Sequence, residues 1–297
     1  MGNSQFIQDI YVKEKFGITL KLFRLDLLHP AIQGNKYFKL LHNVEYALEN
    51  KLSIVTMGGP HSNHINAAAL ICQSENIPCY GIIRGTNFKY LSPTLQKAQE
   101  AGMQLVFVDR EQFREIRKTH IIDHLDEFKA KTFKYHFIPE GGSNELGVQG
   151  AEEILNNLSI EYDMVFCPVG TGGTLAGIIR YLKGDKRIIG ISALKDDYLV
   201  DEIKKMLKHE YSNWQVNFNY HFGGYAKWNQ ELIDFINNFK RETQIPLCPI
   251  YTGKMMYGIL DLLNKNYFPK GSNILAIHTG GLQGIEGFNQ ANNNILI

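Results

Sequence analysis

Short apolar runs rich in β-branched residues alternate with longer stretches of helical periodicity from residue 53 to residue 281. This alternation is typical of βαβ units, in which helices join neighbouring parallel strands. We therefore predict an α/β fold with open, twisted parallel sheets and flanking helices. The predicted strands include SIVTMGG (53–59), CYGIIRG (79–85), QLVFVD (104–109), MVFCPVG (164–170), RIIGISALK (187–195) and NILAIHTGG (273–281).

The length of the chain predicts two domains, because 297 residues exceed what one hydrophobic core usually serves. No linker separates two halves of the sequence. Residues 51–135 form a compact run of strand and helix patterns by themselves. We predict that this segment is a small α/β domain inserted into a larger domain made of residues 1–50 and 136–297.

The charge balance excludes several classes of partner. The chain has 31 Lys and Arg residues against 30 Asp and Glu residues, so no overall field attracts nucleic acid or an acidic membrane. No apolar run approaches the ~18 residues of a membrane span, and no signal-peptide pattern begins the sequence. The scattered cysteines have no spacing typical of a zinc site or a disulfide framework, so we expect no bound metal. We expect a cytoplasmic protein with a small-molecule partner.

The glycine-rich stretch VGTGGTLAG (169–177) lies directly after a predicted strand and directly before a predicted helix. Backbone N–H groups in such a loop, together with the positive end of the helix dipole, form a cradle for one phosphate group. The stretch lacks the Lys-Ser/Thr ending of a P-loop and the spacing of a dinucleotide site. A single phosphate therefore fits better than a nucleotide, although a tight turn without a ligand explains the same pattern.

Two other helix starts carry residues that suit an amino-acid site. Ser62, Asn63 and His64 open a predicted helix whose free N–H groups could hold a carboxylate, although Ser62 could also be only an N-cap. Lys36 follows Gln-Gly-Asn before another predicted helix, where it is either a solvated charge or an amine held for covalent chemistry. A lysine, a monophosphate cradle and a carboxylate site together describe a site for pyridoxal 5'-phosphate and an amino acid.

Six motifs in order along the chain resemble the 1-aminocyclopropane-1-carboxylate deaminase and D-cysteine desulfhydrase family of fold-type II pyridoxal-phosphate enzymes. The resemblance spans residues 34–284 and implies a fold like that of the tryptophan synthase β-subunit, with the cofactor in the larger domain. We expect a homodimer. The motifs are QGNKYFKL, TMGGPHSNH, EGGSNELGVQG, VGTGGTLAG, PIYTGKMMYG and IHTGG.

The resemblance also implies roles for individual residues. Lys36 is the Schiff-base lysine, and Ser62 faces the substrate. Asn63 lies beside the cofactor ring and, with His64, completes the substrate site. The residues of the phosphate loop are Gly170, Thr171, Gly172, Gly173 and Thr174.

Tyr251 and Tyr225 match active-site tyrosines of the family, although either could be an ordinary core or surface residue. Thr252 and Thr279 are expected to contact the cofactor, and Thr279 is the candidate partner of its ring nitrogen. At the position of Thr252, the deaminases of this family have glutamate, whereas the desulfhydrase branch has threonine. The resemblance at this position is therefore to the desulfhydrase branch.

The sequence departs from the family pattern at Gln33, Phe38 and Cys248, and none of these changes removes a reacting group. We predict β-elimination from D-cysteine or a related β-substituted amino acid, giving a 2-oxo acid and ammonia, by a lyase or hydrolase. Four alternatives stay open at this point: a 1-aminocyclopropane-1-carboxylate deaminase, a β-replacement synthase, a racemase or dehydratase, and a binding protein without turnover.

Overall fold

The computed structural model describes residues 3–12, 17–86, 90–130 and 133–297. These residues form two sheets, and hydrophobic cores lie on both faces of each sheet. All neighbouring strands are parallel except the first pair of the larger sheet. This architecture confirms the predicted α/β class with open parallel sheets and flanking helices.

The larger sheet has six strands and the smaller sheet has four. In spatial order the larger sheet contains β1 (Ile7–Asp9), β2 (Thr19–Arg24), β10 (Asn273–His278), β7 (Met164–Val169), β8 (Arg187–Ser192) and β9 (Trp214–Asn217). The smaller sheet contains β5 (Gln104–Val108), β4 (Cys79–Arg84), β3 (Ser53–Gly58) and β6 (Tyr135–Ile138).

The helices follow the strands in the alternation that the sequence predicts. They are α1 (Asn35–Glu49), α2 (Asn63–Ser74), α3 (Pro93–Glu100), α4 (Arg110–Thr119), α5 (Glu145–Glu152), α6 (Gly173–Leu182), α7 (Leu199–Met206), α8 (Gln230–Thr243), α9 (Thr252–Asn264) and α10 (Gly284–Ala291). No helix in the described ranges is long and apolar enough to cross a membrane.

The position of β7 in the sheet explains why residues 164–169 are apolar. Phe166 packs into a core shared with α8 and α9, whereas Val165 and Cys167 pack into the core under α5 and α6. A parallel strand covered by helices on both faces needs apolar residues at every position rather than at alternate ones. The carboxyl end of β7 therefore emerges from the core directly into the glycine-rich loop.

Helix α1 contacts both halves of the molecule. Leu40, Val44 and Ala47 are buried in the core of the smaller sheet with Ile54. On the other side, α1 approaches α5 so closely that a Cβ at Gly150 would overlap the carbonyl oxygen of Phe38. The helix that begins beside Lys36 thus lies where the two sheets meet.

The predicted boundary at residue 135 needs a correction. Strand β6 extends to Ile138 and pairs with β3 along its whole length, so residues 136–138 belong to the smaller sheet. The division into an inserted domain and a larger domain otherwise stays a prediction.

Candidate active site

The segment that carries Lys36 docks against the carboxyl end of β10. Gly34 has a φ of +74°, and a Cβ there would overlap the carbonyl oxygen of Thr279, so a side chain does not fit. The N–H of Asn35 donates to the same carbonyl oxygen at 3.2 Å. Lys36, the second residue of α1, is therefore held at the carboxyl edge of the larger sheet, where ligands bind in such folds.

Asn35 joins Lys36 to the glycine-rich loop. Lys36 Nζ donates to Asn35 Oδ1 at 3.2 Å, and Asn35 Nδ2 donates to Thr174 Oγ1 at 2.6 Å. Asn35 is only 8% exposed, so water does not compete strongly for these bonds. The lysine and the phosphate loop, recognised separately in the sequence, meet in one site.

Burial makes the amine of Lys36 less basic than that of an ordinary lysine. It lowers the pKa of Lys36 to about 8, because the protonated amine loses its hydration, while the thiols of Cys167 and Cys248 oppose the shift. A lysine of this kind is partly unprotonated near neutral pH and can act as a nucleophile or a base. A solvated surface charge does not fit these surroundings.

The loop at 170–174 has the geometry of an anion site. Gly172 precedes α6 with a φ of +86°, and a Cβ there would lie 2.7 Å from Ile203 Cγ1. The first N–H groups of α6 have no acceptor within the helix, and the positive end of its dipole lies at the same point. The glycine positions of the loop have no room for side chains, so the backbone there is left to bind an anion.

Lys39 was missed by the sequence reasoning. It is 1% exposed, its Nζ donates to Ser143 Oγ at 2.9 Å, and Ser143 Oγ lies 2.6 Å from Thr171 Oγ1. Nζ is so close to the phosphate loop that a Cβ at Gly173 would lie 2.7 Å from it. The available signal was the spacing of two lysines at i and i+3, which places both on one helix face.

The surroundings of Lys39 fit the phosphate of pyridoxal 5'-phosphate. Burial and the charge of Lys36 hold the pKa of Lys39 well below its usual range, and no described carboxylate forms an ion pair with it. A buried cation is costly unless a counter-charge accompanies it. A phosphate between Nζ, the nearby hydroxyls and the free N–H groups of α6 would supply that charge.

The start of α2 has the features of a carboxylate site. Ser62 Oγ accepts the N–H of Ile65 at 3.3 Å, so Ser62 is an N-cap, and its own hydroxyl proton remains available. The N–H groups of Asn63 and His64 are the first two of the helix and have no acceptor within it. The side chain of Asn63 accepts a hydrogen bond from Gln283 Nε2, which joins α2 to the segment after β10.

The side chain of His64 is enclosed, and the substrate-binding role of this residue stays a prediction. The imidazole is 1% exposed, and its Nε2 lies 2.8 Å from the Thr56 hydroxyl, which donates to the carbonyl of Ile138. Nε2 must therefore carry the proton, and burial with two nearby lysine charges holds the pKa of His64 well below its usual range. The Nδ1 of the enclosed ring has no hydrogen-bond partner among the described residues, and the backbone N–H of His64 is free at the start of α2.

Tyr251 and Tyr225 lie together over the phosphate loop. Their ring centroids are 6.3 Å apart, and the two rings meet edge to face. A Cβ at Gly170 would lie 3.0 Å from Tyr251 Cε1. Burial raises the pKa of Tyr251 well above its usual range, so its phenol stays protonated and can donate a hydrogen bond.

Lys254 is a second buried lysine that the sequence reasoning missed. Its Nζ donates to the carbonyl oxygens of His221 and Gly224, both at 2.8 Å. These two residues lie in the turn that directly precedes Tyr225. Lys254 lies in the first turn of α9 and therefore holds the loop that carries Tyr225.

The two threonines differ in their surroundings. Thr252 is fully buried, and its Oγ1 accepts the N–H of Cys248 at 2.8 Å. Thr279 is 8% exposed, and its hydroxyl makes no hydrogen bond within the described ranges. Thr279 is free to bind the cofactor ring, whereas Thr252 retains only its hydroxyl proton for that purpose.

The fold and the site together define the class of enzyme. A half-buried lysine at a helix start, a glycine-rich loop and a second helix start with free N–H groups lie together, as expected for a fold-type II pyridoxal-phosphate enzyme. The sequence profile of the pyridoxal-phosphate dependent enzymes matches residues 2–280. The chain belongs to this family, and its cofactor is pyridoxal 5'-phosphate.

Individual relatives show which members of this family the chain resembles. A protein of Pyrococcus horikoshii named "Putative 1-aminocyclopropane-1-carboxylate deaminase" is 30% identical over 92% of this chain and 87% of its own length. The mitochondrial bifunctional D-cysteine desulfhydrase/1-aminocyclopropane-1-carboxylate deaminase of Arabidopsis thaliana is 29% identical over 91% of this chain and 74% of its own.

A crystal structure of an ACC deaminase homologue has a TM-score of 0.81 and 27% identity, over 98% of this chain and 93% of its own. The resemblance to the deaminase and desulfhydrase family is thereby confirmed. The names of these relatives agree with the predicted deaminase or desulfhydrase class. The predicted hydrolase class fits them poorly.

Proposed function

We propose that this protein catalyses β-elimination from D-cysteine or a related small β-substituted amino acid, giving a 2-oxo acid and ammonia. The observation that supports the proposal is the hydrogen-bonded bridge from Lys36 Nζ through Asn35 to Thr174, which joins an amine of lowered pKa to the loop proposed to bind phosphate. Homodimer formation and a cytoplasmic location stay predictions.

Lys36 would hold the cofactor and later act as the base. When bound, pyridoxal 5'-phosphate attaches the substrate amino group through its aldehyde and takes up the electron pair of the broken Cα–H bond. Lys36 Nζ, once displaced by the substrate amine, would take the α-proton as general base. Its lowered pKa supports this role, because a fully protonated amine cannot accept a proton.

The remaining residues would orient the two ligands. Lys39 Nζ and the free N–H groups of α6 would hold the phosphate, and the start of α2 with the Ser62 hydroxyl would hold the substrate carboxylate. Tyr251, kept protonated by burial, would donate a hydrogen bond to the departing thiolate. Thr279 would donate its hydroxyl proton to the ring nitrogen of the cofactor.

Two uncharged groups favour elimination over ring opening. A carboxylate beside the ring nitrogen would stabilise its protonated, strongly electron-withdrawing form, whereas the hydroxyls of Thr252 and Thr279 supply no charge. A weaker electron sink suffices when a thiolate leaves readily. Opening an unactivated cyclopropane ring demands a stronger electron sink. Deamination of 1-aminocyclopropane-1-carboxylate, the activity in the names of the relatives, is therefore the second candidate function.

The test is a comparison of specificity constants. Cofactor-loaded protein is assayed for 2-oxo acid with D-cysteine, L-cysteine and 1-aminocyclopropane-1-carboxylate. We expect kcat/KM for D-cysteine to exceed that for the cyclopropane substrate by at least about tenfold, equivalent to roughly 1.4 kcal/mol in the barrier. Comparable constants, or a preference for the cyclopropane substrate, would overturn the proposed reaction.

A further inference from the structure

Arg84 is an exposed cation near the start of α2 that the proposed reaction does not use. It is the last residue of β4, and its neighbour Ile83 pairs with Gly58 at the end of β3. A Cβ at Gly59 would lie 3.6 Å from Arg84 NH2, and a Cβ at Gly58 would lie 2.8 Å from Ser62 Oγ. Arg84 and the proposed carboxylate site therefore flank the same pair of glycines.

Arg84 also lies near enough to Tyr225 for its charge to act on that side chain. Its charge and that of Glu140 both act on the hydroxyl of Tyr225, with opposite effects on the pKa of that group. Tyr225 is 46% exposed, so this region is accessible to solvent. A guanidinium beside the proposed carboxylate site and near Tyr225 is available to a second anionic group of a bound amino acid.

The charge of Arg84 is not neutralised by any described carboxylate. Its Cζ lies 5.6 Å from the centre of the Phe113 ring, and Phe113 is buried. The nearby Glu140 pairs instead with Arg117, at 3.5 Å from Oε2 to Nε. Stacking on an aromatic ring orients the planar guanidinium and leaves its N–H edge available for an anion.

We propose that Arg84 forms an anion subsite for the β-substituent, so that the enzyme prefers amino acids whose leaving group carries a negative charge in addition to the α-carboxylate. The inference rests on the proposed function. The Cα–H and Cβ–X bonds break, Lys36 receives the proton, and the leaving group departs with the electron pair of the Cβ–X bond. Water then releases ammonia and the 2-oxo acid.

The experiment compares an anionic and a neutral leaving group in matched variants. O-phosphoserine and β-chloroalanine, in the configuration that the enzyme accepts, are assayed with the loaded wild type, Arg84→Gln and Arg84→Lys. Arg114→Gln on α4 removes the same charge at an exposed position and is the control. Thermal unfolding of each variant verifies that it is folded.

We expect Arg84→Gln to lower kcat/KM for O-phosphoserine by roughly 10- to 100-fold, the range for losing a charge-assisted hydrogen bond, with little change for β-chloroalanine. Arg84→Lys should give an intermediate loss of kcat/KM for O-phosphoserine, because lysine keeps the positive charge but lacks the paired N–H donors of the guanidinium. Arg114→Gln should behave as wild type. Equal losses for both substrates would mean that Arg84 binds the α-carboxylate and would overturn the proposal.

A binding measurement separates this inference from the proposed reaction. The inert analogues 2-amino-4-phosphonobutyrate and 2-aminobutyrate are titrated calorimetrically into the loaded proteins. The subsite predicts tighter binding of the phosphonate in wild type and loss of that preference in Arg84→Gln. If β-chloroalanine is not turned over, the proposed reaction fails, and the phosphonate preference still tests the subsite. If wild type shows no phosphonate preference, the subsite does not exist.

Discussion

Lys36 and Lys39 lie one turn apart on α1, and their surroundings give them different tasks. Lys36 Nζ has a side-chain amide as its partner, and burial lowers its pKa to about 8, which suits an amine that must lose and regain protons. Lys39 Nζ is enclosed by hydroxyls and the start of α6, where an anion would restore its charge. Neighbours that are distant in the sequence thus give the two lysines different surroundings, which suit the reacting role proposed for Lys36 and the phosphate-binding role proposed for Lys39.

The lowered pKa of Lys36 predicts how the apoprotein captures its cofactor. Below pH 8 the amine is mainly protonated and unreactive, so the capture rate should rise roughly tenfold per pH unit and level off near pH 8. With an unperturbed lysine, the capture rate would continue to rise up to about pH 10.4. The rate is followed by absorbance at several pH values, and Nα-acetyl-lysine in the same buffers is the control. A rate that still rises from pH 9 to pH 10 would contradict this environment for Lys36.

At the scale of elements, three short segments form the site by meeting at their ends. The start of α1 docks on β10 through Gly34, the start of α6 follows β7, and the start of α2 follows β3. The starts of α6 and α2 present unpaired N–H groups to the site, where negative groups are stabilised, whereas the first N–H group of α1 donates to the Thr279 carbonyl. Backbone geometry rather than side-chain chemistry therefore provides most of the proposed phosphate site.

This dependence on the backbone predicts opposite results for two neighbouring substitutions. Gly172→Val should weaken cofactor binding sharply, because valine is strained at a φ of +86° and its Cβ would lie 2.7 Å from Ile203. Thr171→Ser keeps the hydroxyl beside Ser143 and should change affinity little. Cofactor affinity is measured by titration of the apoproteins, with thermal unfolding as the folding control. Equal and negligible effects would indicate a turn without a ligand.

At the scale of the molecule, the sequence predicted the fold class and the strands that surround the site, because parallel strands covered on both faces have an unmistakable apolar pattern. It did not predict that α1 lies between the sheets, since that position depends on contacts such as Gly150 with Phe38. The buried lysines Lys39 and Lys254 also escaped notice. A lysine is ordinarily exposed, and its burial is visible only once distant segments are brought together.

The central claim is that Lys36 binds the cofactor covalently, and borohydride reduction tests it most directly. Loaded wild type and Lys36→Ala are reduced, digested and analysed by mass spectrometry. The site geometry predicts a pyridoxyl group on the peptide that contains Lys36 in wild type and no labelled peptide in Lys36→Ala. A label on Lys39 or Lys254 in wild type, or a reducible linkage that persists in Lys36→Ala, would contradict the account.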